Sequence, residues 1–315
     1  MASIFRFTIE GRAAPALFVL GWLATIVGGG TLAVAIFSGP TVVGAALFLT
    51  GAVGLTVGLG ALAGSQAVEG RAAAVAGYRG PSPVLLFLAW VPAAYVGWVS
   101  IGLPLEAAGV VLSGPPAEFL YLVVQTAVAV GLVRLLVVGP GALTWRQIGF
   151  GRTGGAATRD AAWGALLAGP TIMVTALVAA ALVSLTNVAP ESPLPPTGTA
   201  GGFVLHLLAG ALVAPVAEEI LFRGVAVSAW SASVGARSAI IRSALLFAAA
   251  HVLTVGGDSF STALALAFVG FVGRLPIALV LGWVFVRRGS IWAPLGLHAA
   301  YNGVLIAAAE LLAAS

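Results

Sequence analysis

Nine apolar stretches, each near the length of a membrane span, follow one another at about 14–37, 41–63, 84–103, 117–138, 161–186, 203–229, 238–253, 262–286 and 291–313. A helix rises about 1.5 Å per residue and a bilayer core is about 30 Å thick, so one crossing takes about 20 apolar residues. The runs are continuous and lack the period-two alternation of a transmembrane β-barrel. Only 8% of the 315 residues are charged, against about 25% in soluble domains, and mean hydropathy is +1.11. That composition excludes a soluble enzyme, a disordered chain and a nucleic-acid binder. The fold class expected is all-α: a polytopic integral membrane helical bundle of about nine transmembrane helices. Cysteine is absent, so no disulfide, thiolate nucleophile or Cys-based zinc site is available.

The few charges sort by loop. Arg6 and Arg12 precede the first stretch, Arg71 and Arg79 follow the second, and Arg146, Arg152 and Arg159 follow the fourth. Arg237 and Arg242 lie near the turn after the sixth, and Arg287 and Arg288 follow the eighth. These are every second connection. The others hold Glu106, Glu191, Asp258 or no charge. Nine spans with a cytoplasmic N-terminus satisfy the positive-inside rule at each loop. The first run is longer than a secretory h-region of about 7–15 residues, which reads as an uncleaved anchor. Three parts are expected: a two-helix hairpin at 1–83, a three-helix segment at 84–200 with cytoplasmic loop 139–160, and a core at 200–313. Loop 187–202, with Pro190, Pro193, Pro195 and Pro196, reads as a stiff connection. Gly28, Gly29, Gly30, Gly54, Gly58, Gly60 and Gly64 lie inside apolar spans, where small residues let helices approach closely.

Polar groups inside spans are costly and face the bundle interior. The sixth stretch carries Glu218, Glu219 and Arg223. Arg223 follows Glu219 by four residues, the favourable helical ion-pair spacing, so Glu219 reads as the neutralised, structural carboxylate and Glu218 as the one free for chemistry. His251 ends the seventh stretch, and His298 and Asn302 share a face of the ninth. Glu218 lies 17 residues before Gly235 and His251 lies 16 after it, so a hairpin turning there brings both to one depth. His206 has no polar neighbour at helical spacing and reads as interfacial or structural. Arg274, beside Pro276, has three readings: a substrate-carboxylate ligand, a partner of Glu218 or Glu219, or the mark of a broken helix.

Glu218-Glu219-x-x-x-Arg223, Phe247-x-x-x-His251 and His298-x-x-x-Asn302, in that order and within spans, resemble the CPBP family of CAAX proteases and bacteriocin-processing enzymes, also called Abi. Arg287 to Trp292 resembles the family's link between its last two core helices. The Leu143-x-x-x-x-Ile148-Gly149-Phe150 loop has a similar family character. The resemblance covers about 200–310. It implies an intramembrane endopeptidase with Glu218 activating water, His251 assisting, His298 and Asn302 stabilising the oxyanion, and Glu219 and Arg223 bracing the helix. It implies no cofactor. The metal-dependent alternative is zinc on Glu218, His251 and His298. The expected partners are the lipid bilayer and a membrane-anchored or C-terminal peptide substrate, with no nucleic acid. Richness in Ala, Gly and Arg without Lys points to a prokaryotic plasma membrane. The competing classes are a non-catalytic, immunity-type binder of the same fold and a proton-coupled transporter.

Overall fold

The computed structural model describes residues 9, 12–72, 77–189, 194–253 and 255–314. Arg6, Pro190, Glu191 and Pro193 lie outside the described residues. Every described element is helical. Among the described residues eight helices are long and apolar enough to cross a membrane, and the chain is an integral, multi-pass membrane protein. Of the nine expected stretches, eight fall on these helices. The remaining one, the seventh, 238–253, is the helix α10, Ala236–Ala250, of 15 residues. At about 1.5 Å per residue α10 spans about 22 Å, short of a bilayer core.

The chain divides into two compact units, one of residues 1–112 and 124–144, the other of 113–123 and 145–315. The first contains α1 (Pro15–Ser38), α2 (Val42–Ala72) and α3 (Pro83–Ala107). It also holds the later part of α4 (Gly114–Val133), which runs on as a wider π-turn over Arg134–Val138. Helices α1 and α2 pack through Gly28 against Gly51, Gly54 and Leu55, and through Thr25 against Gly58. A Cβ on Gly28 would fall onto the Leu55 backbone nitrogen. Of the glycines singled out from sequence, Gly28, Gly54 and Gly58 make this approach, whereas nothing stands within 4 Å of a Cβ on Gly30 or Gly60. At the helix ends Arg12 pairs with Glu69 at 3.0 Å, and Arg71 donates to the Gly139 and Pro140 carbonyls.

The second unit is built on α5 (Gly154–Leu166), α6 (Ala168–Thr186) and the continuous helical run Ala200–Val234. It is completed by α10, α11 (Phe260–Arg288) and α12 (Trp292–Ala314). The expected single stretch 161–186 is divided at Leu167. Pro170 lacks an N–H and crowds the carbonyl four residues earlier, which accounts for a break there. The run Ala200–Val234 is α7 (Ala200–Leu207), a π-helical stretch Leu208–Val213, α8 (Ala214–Glu218), a second π-helical stretch Glu219–Val227, and α9 (Ser228–Val234). Pro215 cannot donate to the carbonyl four residues back, and the wider turn before it relieves that clash.

Helices α5 and α12 meet at small residues: a Cβ on Gly164 would fall into the Ala293 carbonyl, and one on Gly296 into that of Ala161. Ile277, Leu281 and Val284 of α11 pack with Ala293, Leu297 and Tyr301 of α12 and with Ala168. Segment Arg146–Phe150 docks on this core. Gly149, at φ +109°, accepts a hydrogen bond at its carbonyl from the Ile291 N–H at 3.1 Å. Ile148 is fully buried against Gly224. Asp160, fully buried, is held between Arg152 at 3.0 Å and Arg288. Arg288 also lies over the Trp163 ring. His206 is buried and bonds Glu118 at 2.7 Å, a structural role supplied by a partner 88 residues away in the chain.

Candidate active site

Four helical segments deliver the polar groups. Glu218 ends α8, Glu219 and Arg223 lie in the π-helical stretch that follows, His251 caps the C-terminus of α10, and His298 and Asn302 lie one turn apart on α12. The hairpin between α9 and α10 turns at Gly235, with φ +79°. A residue with a Cβ is strained in that left-handed region. The turn brings His251 alongside Glu218, as the register arithmetic requires.

One layer of the cluster is structural. Arg223 and Glu219 are both fully buried and pair at 3.0 Å. Arg223 also donates to the Ala278 carbonyl at 3.3 Å, and its guanidinium lies 4.4 Å from the centroid of the Phe247 ring. The expected Glu219–Arg223 pair is thus present. Glu219 has a second partner as well: its Oε1 lies 2.8 Å from His298 Nδ1. A carboxylate accepts, so His298 donates from Nδ1 and points Nε2 the other way. Phe247 is packed edge-on against Phe222 at 5.2 Å and against His298 at 5.9 Å, and lies 4.3 Å from the His251 ring. One aromatic ring therefore fixes both imidazoles and the arginine.

The other layer faces Glu218. His251 Nδ1 is 2.7 Å from the Phe247 carbonyl. A carbonyl only accepts, so Nδ1 carries the hydrogen and Nε2 is the other ring nitrogen turned to the site. Glu218 Oε2 lies 3.7 Å from His251 Nε2 and 3.7 Å from His298 Nε2. Those separations exceed a direct hydrogen bond of about 2.7–3.2 Å. Glu218 Oε2 is shielded from solvent and has no hydrogen-bond partner among the described residues. The side chains of Glu218 and His251 are nonetheless 19% and 27% exposed overall, so the pair lies at an opening and is not sealed in the core.

The structure brings together Glu218, His251 and His298, with Glu219 and Arg223 behind them. Asn302 is placed differently: its Nδ2 donates to the Gly210 carbonyl at 2.8 Å, in the first π-helical stretch. Arg274 donates to the Gly270 carbonyl at 3.0 Å and is within electrostatic reach of Glu218, His251 and Tyr301. Helix α11 runs through Arg274 and Pro276 without interruption, which removes the broken-helix reading. The contributions of Phe247, Ala278 and Gly210 were not assigned from sequence. Two of them are backbone carbonyls, which no residue type signals. Asp160 did have a signal, as the lone acidic residue of the Arg-rich loop 139–160.

No curated protein and no solved structure matches the chain. A family model does match, described as type II CAAX prenyl endopeptidase Rce1-like, over residues 200–304. That stretch contains every residue of the cluster, from Glu218 to Asn302. It agrees with the family resemblance carried by the three motifs, and the matched family is a peptidase family. Residues 200–304, a third of the chain, are similar to the Rce1-like type II CAAX prenyl endopeptidases.

Proposed function

We propose that this protein is an intramembrane endopeptidase in which Glu218 activates the attacking water. The observation that supports it most is the buried, unbonded Glu218 Oε2 facing two imidazole Nε2 atoms, each at 3.7 Å. One water seated beside these three atoms donates one hydrogen to Glu218 and the other to His251 Nε2, leaving an oxygen lone pair for the substrate carbonyl carbon. Glu218 takes the water's proton as the C–O bond forms, and the carbonyl electron pair moves onto oxygen. His298 holds that oxyanion with an Nε2–H. Since its Nδ1–H is already given to Glu219, His298 acts here as the imidazolium, with Glu219 as its counter-charge. Asn302, anchored on the Gly210 carbonyl, adds its second N–H. The C–N bond then breaks and Glu218 returns the proton to the leaving amine. Oxyanion stabilisation of this kind is commonly the largest single contribution to rate.

Glu218, His251 and His298 have the donor chemistry of a catalytic zinc site, where zinc would supply Lewis acidity. Among the described residues, however, no three His, Cys, Asp or Glu side chains are grouped to hold an ion, and the reading takes activation through Glu218 itself. The substrate is a membrane-anchored or C-terminal peptide, and the membrane a prokaryotic plasma membrane with the Arg-rich loops in the cytoplasm. Proteomic comparison of peptide termini in membranes carrying wild type or Glu218→Gln tests the reading. Termini that appear only with the wild type support it. Identical sets of termini refute it.

A further inference from the structure

Arg274 lies fourteen residues from each end of α11, Phe260–Arg288, at about 21 Å from either end. A cation so deep in an apolar span needs a reason to be there. Among the described residues no carboxylate pairs with it: it donates to the Gly270 carbonyl, and Glu218 is within electrostatic reach only. One bond leaves most of the guanidinium's five N–H donors uncommitted.

Arg274 and Gly270 line a cavity of about 390 Å³ together with Val255, Gly256, Gly257 and Asp258. Val255 to Asp258 lie between α10, which ends at Ala250, and α11, which begins at Phe260. The volume is within the range of about 300–1,000 Å³ typical of ligand pockets. It suits a few residues of extended peptide. His251 caps α10, and a Cβ on Gly270, in the cavity lining, would stand 3.1 Å from Val252, the next residue; the His251 side chain is also within electrostatic reach of Arg274. The cavity lining thus comes within one residue of His251 along the chain.

We propose that Arg274 and this cavity are a carboxylate-binding subsite that selects substrates with a negative charge close to the scissile bond. The charge is either the free C-terminus of the substrate or an Asp or Glu side chain. Both present the planar anion that a guanidinium fork matches in two parallel hydrogen bonds. This inference rests on the peptidase reading above.

The test uses the Glu218→Gln protein in nanodiscs, which binds peptide without turnover, and N-blocked apolar tripeptides followed by titration calorimetry. One pair differs only in a C-terminal acid against an amide. The other, amidated throughout, differs in Asp against Asn. The expected result is tighter binding of at least one charged member by about tenfold or more, with the first pair reporting the C-terminus and the second the side chain. Adding Arg274→Gln collapses that preference to within about twofold, and Arg274→Lys, which keeps the charge but loses the fork, retains part of it. Equal binding within both pairs overturns the subsite without recourse to any Arg274 variant, as does a preference that survives Arg274→Gln. Turnover is read separately on the wild type. Cleavage without charge preference sinks the subsite alone, and charge preference without cleavage sinks the peptidase reading alone.

Discussion

Glu219 carries more of the site than its spacing to Arg223 suggests, because the same oxygen that pairs with the arginine at 3.0 Å also takes the His298 Nδ1–H at 2.8 Å. Replacing Glu219 by Gln strands a fully buried Arg223 in an apolar core, and removing one partner of such a pair costs about 3–5 kcal/mol. Glu219→Gln is therefore expected to melt well below wild type in detergent, whereas Glu218→Gln, whose partners stand 3.7 Å away, melts near it. A similar melting loss in both variants would contradict the division of labour. The zinc alternative is separated at this scale too: turnover is expected to survive strong chelation within about twofold, since the reading takes water activation from Glu218, with Brønsted catalysis worth about 10²–10⁴ in rate. Chelation that abolishes turnover, restored by zinc alone, would contradict it. The Glu219–Arg223 pair was legible in sequence because four residues is one helical turn. The Glu219–His298 bond joins residues 79 apart, and no spacing rule reaches it. Asn302 was legible as lying on the His298 face, but its bond to a π-helical carbonyl at Gly210 was not.

At the scale of elements, close helix approach depends on a few glycines, which are silent to hydropathy. Gly164 and Gly296 face backbone across the α5–α12 contact, so Gly296→Val must push the helices apart. The expected cost is about 1–3 kcal/mol or more, read as a lowered melting temperature and, because α12 carries His298, as slower peptide cleavage. Gly149→Ala combines the strain of φ +109° with a clash at Ile291 and is expected to loosen segment Arg146–Phe150 from the core, exposing its backbone amides to hydrogen exchange. Unchanged melting in the first or unchanged exchange in the second would count against the packing described. The existence of the helices was legible, since an apolar run of span length has few alternatives in lipid. The π-helical stretches were not, because the same residue types form α- and π-turns. Nor was the early end of α10: apolar Val252 and Leu253 follow His251, yet the helix stops at Ala250, where His251 turns into the site.

At the scale of the whole molecule, the scarcity of charge makes the site readable. Among the described residues eight helices are long and apolar enough to span, and of the few ionisable groups buried in the second unit, Glu219, Arg223 and His298 gather beside Glu218. Orientation can be checked cleanly because the chain has no cysteine. Single cysteines at Arg79 and Arg237 are expected to resist a membrane-impermeant maleimide in intact cells, while one at Ser113 reacts. The reverse pattern would invert the proposed topology. The claim on which the account depends is that Glu218 activates the water. Its most direct test is the rate of peptide cleavage by purified wild type and Glu218→Gln, side by side in nanodiscs after both have passed the same melting test. A loss of about 10²–10⁴-fold in the variant is the result the account predicts, and cleavage within a few-fold of wild type would contradict it.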